Sequence, residues 1–369
     1  MKLSNDLTQP DAFDVELEMR RIKRLSEANG PSGFEDEVVS VLRENLSPLD
    51  LQEDTLRNLY APHPGNEGGR PHVMLDAHTD EVGFIVQSIQ ANGMLRLLPL
   101  GSWVLHNVPA HSVRVRNDGG CWIEGTIASK PPHFMTEAER SQPLTWEQLV
   151  VDIGAQSADE VKELFHVSMA APVVPDVRFT EIQDKPGWFR GKAFDCRIGV
   201  AAGAATLEAV AGRELEVDVT AVFTTQEEVG GRGAAVAARR VKPDVCIVFE
   251  GCPADDTFSS PPESQTAVGK GPMLRHLDRT MITSPRFQRL ALDTARELGI
   301  PVQEAVRSGG GTNGGLIHQS GLGIPCIVIG IPVRYAHTHY GVSCLDDYSS
   351  AIRLAILTTD CILSSIARV

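Results

Sequence analysis

Apolar residues recur along this chain with two periods, one typical of helices and one typical of buried strands. Val15, Met19 and Ile22 lie three or four positions apart and predict one face of an N-terminal helix, which the segment NGPSG at 29–33 ends. Later stretches are apolar at nearly every position over strand length, namely PHVML, LEVDVTAVFTT, PDVCIVFE and GIPCIVIGIPV. Strands of that kind are usually covered on both faces of their sheet.

Helical patterns separate these strands. Ser32 and Glu35 predict a capping box for an early helix, and DCRIGVAAGAATLEAV predicts a later one that is rich in alanine. In SPRFQRLALDTARELG, Ser284 is the predicted N-cap, Pro285 occupies the first turn and Gly299 ends the helix. Because strands and helices alternate, we predict an α/β fold in which a mixed sheet is sandwiched by helices.

The middle of the chain has a different pattern. Between about residues 88 and 186, short alternating segments such as MLRLLPL, HSVRVRN and CWIEGTI are separated by Gly, Asn and Asp. This pattern predicts a small β-rich domain inserted into the α/β domain. The expected division is therefore 1–87 plus 187–369 for the larger domain and 88–186 for the insert.

Composition narrows the class of partner. The 369 residues carry 34 Lys and Arg against 48 Asp and Glu, a net charge of -14, which disfavours nucleic acid and anionic membrane surfaces as partners. The N-terminal residues lack the apolar centre of a signal peptide, and no apolar run approaches the roughly 18 residues of a membrane span. Seven cysteines without a C-x-x-C pair indicate buried free thiols in a reducing compartment. A soluble cytoplasmic protein is expected, with a small molecule or a peptide as partner.

Residues able to bind metal or transfer protons follow several of the apolar strands. In open α/β sheets ligands bind beyond the carboxyl ends of the strands, so these side chains are expected to converge in one crevice. Two histidines with several carboxylates suit a pair of divalent metals such as zinc, cobalt or manganese. The residues concerned are His78, Asp80, Asp195, Glu227, Glu228, Glu250 and His337.

The adjacent Glu227 and Glu228 suggest two roles. Neighbouring residues on an extended chain point in different directions, so one glutamate can bind metal while the other acts as general base on a water held by both metals. Simpler explanations exist for each residue: a solvated strand end for the glutamate pair, a helix cap for Asp195 and a loop carboxylate for Glu250.

Seven ordered motifs identify a family. They are GPSGFE, DAHTDEVGFIV, LVVDIGAQSADEVKEL, KAFDCRIG, TTQEEVGGRGA, GGGTNGG and IPVRYAHT. With these motifs the chain resembles, over nearly its full length, the M42 family of dinuclear metallo-aminopeptidases, often labelled glutamyl aminopeptidase, FrvX-like or "cellulase M". The resemblance implies a zinc-exopeptidase type of fold and hydrolysis of the N-terminal residue from short peptides.

The resemblance also implies a role for each site residue. His78, Asp195 and Glu250 would hold one metal; Asp195, Glu228 and His337 would hold the other. Glu227 would be the general base, and Asp80 would orient His78 through its second ring nitrogen. The inserted domain would mediate dimerisation, and dimers of this family commonly assemble into a hollow tetrahedral dodecamer.

Three departures from the family pattern leave alternatives open. Glu250 and Asn313 stand where the family usually has aspartate, and His339 adds a second histidine able to compete with His337. One alternative is therefore a catalytically weak subunit whose function is assembly. Another is a hydrolase of non-peptide amides, or the endoglucanase of an old family label; glycoside hydrolysis, however, usually needs two carboxylates and no metals.

Overall fold

The computed structural model describes residues 13–47 and 49–362. Its helices are α1 (Val15–Glu27), α2 (Asp36–Asn45), α3 (Glu137–Ser141), α4 (Ala158–Glu163), α5 (Phe194–Ala211), α6 (Arg232–Val241), α7 (Pro285–Glu297), α8 (Gly314–Ile317) and α9 (Leu345–Ile362). Short 3-10 helices span Leu105–Asn107, Pro132–Phe134 and Trp146–Gln148. No helix in these two ranges is long and apolar enough to cross a membrane.

The larger sheet is mixed and has eight strands in the order β1-β2-β12-β3-β13-β16-β14-β15. Its four central strands β12, β3, β13 and β16 run parallel, whereas β2 and β14 join them antiparallel. The strands are β1 (Gln52–Glu53), β2 (Leu59–Pro62), β3 (His72–His78), β12 (Asp218–Thr224), β13 (Val245–Pro253), β14 (Met273–Leu277), β15 (Gln303–Val306) and β16 (Cys326–Val333).

Both faces of this sheet are covered by helices. Along β3, Val73, Leu75 and Ala77 pack into the core formed with α1, α2, α5, α7 and α9. The intervening Met74 packs on the opposite face with residues of α6 and α8. Successive side chains of a strand point to opposite faces, so continuous apolar runs supply both cores. The predicted mixed sheet sandwiched by helices is therefore confirmed.

The insert is a closed barrel of six strands in the order β4-β5-β8-β7-β6-β9. It has its own hydrophobic core, which includes Phe84, Val113 and Val151. The strands are β4 (Gly83–Ile89), β5 (Leu95–Leu100), β6 (Ser112–Arg116), β7 (Trp122–Ala128), β8 (Val150–Asp152) and β9 (Pro172–Pro175). The predicted β-rich insert is thus present, while the exact division at residues 88 and 186 stays a proposal. A small sheet of β10 (Thr180–Glu181), β11 (Trp188–Gly191) and β17 (Gly341–Cys344) follows the barrel.

The predicted helix signals had two outcomes. Ser284 caps α7 by accepting a hydrogen bond from the backbone N–H of Phe287, as expected. The capping box at α2 was wrong, because the helix starts at Asp36 without a side-chain cap. Ser32 instead donates to Asp80, 2.6 Å away, and Glu35 accepts the backbone N–H of Gln226. As an N-cap the Ser32 hydroxyl would accept a backbone N–H, whereas here it donates to a charged carboxylate, which makes a stronger hydrogen bond than a neutral partner does.

A buried ion cluster fixes the start of α5 against the segment that follows β3. The Arg197 guanidinium is fully buried and donates to the carbonyl oxygens of Thr79, Leu25, Ala28 and Gly30. It also contacts the carboxylate of Glu81, to which the buried Lys192 ammonium donates twice. These charges are paired and hydrogen-bonded as buried charges require. The cluster therefore sets the distance between α5 and the end of β3.

Arg197→Lys tests how much the fold depends on this cluster. A lysine cannot reach all five acceptors, so buried carbonyl groups lose their donors, and we expect the variant to lose about 3 kcal/mol of stability. The measurement is the urea midpoint at fixed protein concentration. The matched control is Arg213→Lys, which weakens a partly exposed pair with Asp360 and should cost no more than about 1 kcal/mol. Equal shifts for the two variants would contradict the assigned role.

Candidate metal centre

One carboxylate stands between two histidines at the carboxyl end of the sheet. Asp195 Oδ1 lies 3.2 Å from Nε2 of His78, and Asp195 Oδ2 lies 3.2 Å from Nε2 of His337. His78 is the last residue of β3, and His337 lies in the turn after β16. The backbone of Asp195 is not helical, and its side-chain oxygens contact His78 and His337 instead of capping the helix that follows. Its two oxygens therefore face two different imidazoles.

Each histidine has a second carboxylate beside it. Glu250 Oε1 lies 3.4 Å from His78 Nε2, and Glu228 Oε2 lies 3.5 Å from His337 Nε2. Glu250 is buried inside β13 rather than placed in a loop. Glu228 has a side chain that is only 4% exposed, so it is not a solvated strand end. The result is two halves that share Asp195.

Asp80 organises both parts of this arrangement. Its Oδ1 lies 3.3 Å from Nδ1 of His78, the ring nitrogen that faces away from Asp195. Its carboxylate also accepts the backbone N–H groups of Glu227 and Glu228 at 2.9 and 3.1 Å. The sequence predicted the contact with His78 but not the hydrogen bonds to the two glutamates. Asp80 therefore positions the glutamate pair as well as the histidine.

His337 is oriented by the barrel. Its Nδ1 donates to the carbonyl oxygen of Ser102, 2.8 Å away, in the segment after β5. In the neutral ring this bond fixes the tautomer whose Nε2 can bind a cation. The neighbouring His339 takes no part. It stacks on His111 with ring centroids 3.9 Å apart, and burial lowers its pKa to about 3.

Burial is the largest single influence on each pKa at the site, although hydrogen bonds and charges together outweigh it at Asp195 and His337. It raises the pKa of Glu227 to about 8 and that of Glu228 well above its usual value. Burial would also raise the pKa of Asp195, but hydrogen bonds from His337 and His78 outweigh it and hold that pKa well below its usual range. Burial would lower the pKa of His337, yet the charges of Glu228 and Asp195 raise it to about 10. The imidazoles are thus the positive partners of an acid-rich centre.

The side chains present fit divalent cations. Single donor atoms of His78, Asp195 and Glu228 lie within 4.8 Å of one another, and those of His78, Cys196 and Glu250 form a second such group. Oε1 of Glu228 is buried and has no hydrogen-bond partner among the described residues. Several carboxylate oxygens and imidazole nitrogens gathered in one place are typical ligands of zinc, cobalt and manganese. Cys196 was not among the ligands anticipated from the sequence.

The site opens into a cavity of about 950 Å³. Glu227, Glu228 and Glu250 form one part of its wall, and the glycine-rich loop 309–312 forms another. Arg275, Arg279 and Arg307 also line it, although they belong to separate segments without a recognisable motif. The cleft therefore combines an acidic end with basic side chains.

Asn313 lies beneath the site rather than in it. Its Nδ2 donates at 2.8 Å both to Asp76 Oδ2 and to Thr224 Oγ1. Burial raises the pKa of Asp76 to about 7. An aspartate in place of Asn313 would face this carboxylate without a proton to donate, so the amide suits its neighbour here. The hydrogen bonds of the Asn313 side chain therefore go to Asp76 and Thr224, not to any of the candidate metal ligands.

Curated proteins of similar sequence are aminopeptidases by name. The putative aminopeptidase FrvX of Escherichia coli is 33% identical over 353 residues, covering 93% of this chain and 96% of that protein. The glutamyl aminopeptidase of Lactococcus lactis is 30% identical, with 90% and 92% covered. The lysyl aminopeptidase of Pyrococcus furiosus is also 30% identical, with 90% and 94% covered.

Solved structures with a similar fold include peptidases as well. A TET aminopeptidase from a marine sediment thaumarchaeote superimposes with a TM-score of 0.90 at 38% identity, covering 95% of this chain and 99% of that one. The Pyrococcus horikoshii TET1 peptidase, which can assemble into a tetrahedron or a large octahedral shell, gives 0.83 at 26% identity, with 93% and 99% covered. The family model described as M42 glutamyl aminopeptidase matches residues 58–354. The chain therefore belongs to the M42 glutamyl aminopeptidase family and is a peptidase of a class that uses divalent metal.

Proposed function

We propose that this protein is a dinuclear aminopeptidase that removes the N-terminal residue from short peptides. The observation that carries the proposal is the position of Asp195, which presents one oxygen to each of two histidines. A carboxylate in that position would serve as a ligand common to two divalent cations. Zinc or cobalt suits the donor set best, and manganese is a further candidate.

The ligands divide into two sets. His78, Asp195 and Glu250 would hold one metal, and Asp195, Glu228 and His337 would hold the other. Each set combines an imidazole, one side of the shared carboxylate and a buried glutamate that lies within 3.5 Å of that imidazole. Bound metals would polarise the scissile carbonyl and supply a nucleophilic water near neutral pH.

Glu227 is assigned as the general base. It belongs to neither set, its Oε2 lies 4.0 Å from His78 Nε2, and it faces the cavity. Cations in the centre favour its ionised form and so oppose the effect of burial on its pKa. It would take the proton from the attacking water and transfer it to the leaving amine. Asp80 is a positioning residue, since it holds the Glu227 backbone and the His78 ring together.

The basic wall of the cavity favours peptides with an acidic first residue. Arg275 and Arg307 are paired, with Asp278 and Asp255 respectively. Arg279 is exposed, and its guanidinium has no ion-pair partner in the described ranges. An unpaired guanidinium in the cleft matches a carboxylate on the substrate. Among the related enzymes, the glutamyl aminopeptidase carries that preference in its name.

The assembly and location are proposed by analogy. The barrel would mediate a homodimer, and dimers would assemble up to a dodecamer, as the PhTET1-12s dodecamer and the shells formed by Pyrococcus horikoshii TET1 suggest. The net charge of -14 supports peptides, not nucleic acid or membrane, as partners. A cytoplasmic location agrees with buried cysteines at residues 196, 246, 252, 326 and 344.

Glu227→Gln should lower kcat by about 10²–10⁴-fold while both metals remain bound, because the amide cannot accept the proton. The measurements are steady-state hydrolysis of an aminoacyl substrate and elemental analysis of the same preparation. Glu214→Gln, at an exposed position, is the control and should leave kcat unchanged. A Glu227→Gln enzyme with full activity and full metal content would refute the role of the base.

Metal binding should release protons and strengthen as the pH rises. The pKa of His337 is raised from its ordinary value of 6.5 to about 10 in the metal-free chain. Between those two pH values the ring is therefore protonated, and its proton must leave before zinc binds. For each proton that the metal displaces, the apparent Kd falls about tenfold when the pH rises by one unit.

Calorimetry of the chelator-stripped protein in two buffers of different ionisation enthalpy measures the protons released. Competition with a chelator at pH 6.5, 7.5 and 8.5 measures Kd. His337→Asn should release one proton fewer than the control His318→Asn. We expect two metals per chain at saturation; fewer than one would favour the assembly subunit without activity.

Arg279→Ala should lower kcat/KM for a glutamyl substrate by about 10–100-fold, the effect of one lost charge-assisted hydrogen bond. Hydrolysis of a leucyl substrate should change little. Arg289→Ala, an exposed arginine on α7, is the matched control. Parallel losses on both substrates would argue against selection by charge. N-acetylated forms of each substrate should resist hydrolysis, and their cleavage would point instead to an amide hydrolase that needs no free amine.

A further inference from the structure

The residue after Asp195 brings a thiol to the metal centre. Cys196 is fully buried, and its Sγ, one ring nitrogen of His78 and one oxygen of Glu250 all lie within 4.8 Å of one another. We propose that Cys196 supplies a thiolate ligand to the metal held by His78 and Glu250. The inference rests on the two-metal function proposed above, and it concerns the chemistry of one half of that site.

The distances suit a shared cation. Zinc binds thiolate at about 2.3 Å and imidazole or carboxylate at about 2.0–2.2 Å, so tetrahedral ligands lie roughly 3.5 Å apart. His78 and Glu250 are already 3.4 Å apart. The sulfur of Cys196 already lies within 4.8 Å of both donor atoms, and its hydrogen bond to the Phe249 carbonyl at 3.3 Å is weak because a thiol is a weak donor.

Two glycines allow the start of α5 and β13 to pack closely enough to place the thiol beside the glutamate. A Cβ on Gly199 would lie 2.4 Å from Cys196 Sγ, so glycine provides the space that the sulfur occupies. A Cβ on Gly251 would lie 2.3 Å from the carbonyl oxygen of Phe194 and 2.8 Å from Cα of Asp195. The first turn of α5 therefore packs directly on β13, with Cys196 and Glu250 on the contacting segments.

A thiolate would make the two halves of the site chemically different. The half with His337 offers imidazole and carboxylates, which suit zinc, cobalt and manganese alike. Sulfur added to the His78 half favours thiophilic ions such as zinc and cadmium over manganese. The protein would then bind one ion of each kind when both are supplied.

Cobalt substitution tests the ligand directly. The wild-type protein loaded with two Co²⁺ should show a near-ultraviolet sulfur-to-cobalt charge-transfer band, and X-ray absorption should show a sulfur neighbour at about 2.3 Å. Cys196→Ser should abolish the band while still binding cobalt, and should lower the ratio of cadmium to manganese affinity at least tenfold. The matched controls are Cys246→Ala, at a buried thiol four residues before Glu250 in β13, and Cys121→Ser, at an exposed thiol. Both controls should keep the band.

The readouts separate this inference from the function on which it rests. Two bound cobalt ions and peptidase activity without a sulfur signal in the wild-type protein would overturn the role of Cys196 and leave the aminopeptidase intact. A band that persists in Cys196→Ser would have the same meaning. If Cys196→Ser does not fold, the absorption data on the wild-type protein decide the question alone.

Discussion

The whole arrangement depends on the cost of placing several carboxylates together away from water. Asp195, Glu227, Glu228 and Glu250 share one end of the cavity, and each loses hydration there. Carboxyl groups buried so close together cannot all ionise without positive partners. Two imidazoles compensate only part of that charge, and the remainder is what makes the site suitable for dications. The surplus of buried carboxylates is therefore both costly to the fold and the property that suits the site to divalent cations.

The fold solves the opposite problem with a second cluster close by. Arg197 and Lys192 are buried cations, and the fold gives them Glu81 and a set of backbone carbonyls as partners. That cluster is satisfied within the protein, whereas Oε1 of Glu228, beside Asp195, is buried without a hydrogen-bond partner among the described residues. The contrast distinguishes a structural ion cluster from a binding site, since one is closed and the other retains donor atoms for a ligand.

Much of the fold follows from local periodicity, which the amino-acid order carries directly. The strand and helix order around β3, β12 and β13 could be predicted because apolar runs and alanine-rich stretches report burial at each position. The seven proposed site residues were recognisable because they follow such runs. Ser32 was misread because its partner, Asp80, lies 48 positions away, and local cap signals do not reveal so distant an acceptor.

What the chain order could not show depends on tertiary pairing. Closure of the barrel requires β4 to meet β9, and neither strand carries a mark of the other. The arginines of the cavity come from separate segments, so no motif unites them. Cys196 was grouped with ordinary buried thiols because its neighbours His78 and Glu250 are distant in the chain. Glu250 was judged by its departure from a family pattern, whereas its contact with His78 depends on where β13 lies.

The bond from His337 to Ser102 crosses the boundary between the two folding units. The ring that faces Asp195 is steadied by the backbone of the same barrel that is expected to meet another copy of the chain. A displacement of the barrel relative to the larger sheet would therefore turn that imidazole and change its contacts with Asp195 and Glu228. Should copies of the chain meet through the barrel, as proposed, assembly would act on the proposed hydrolytic centre through this carbonyl group.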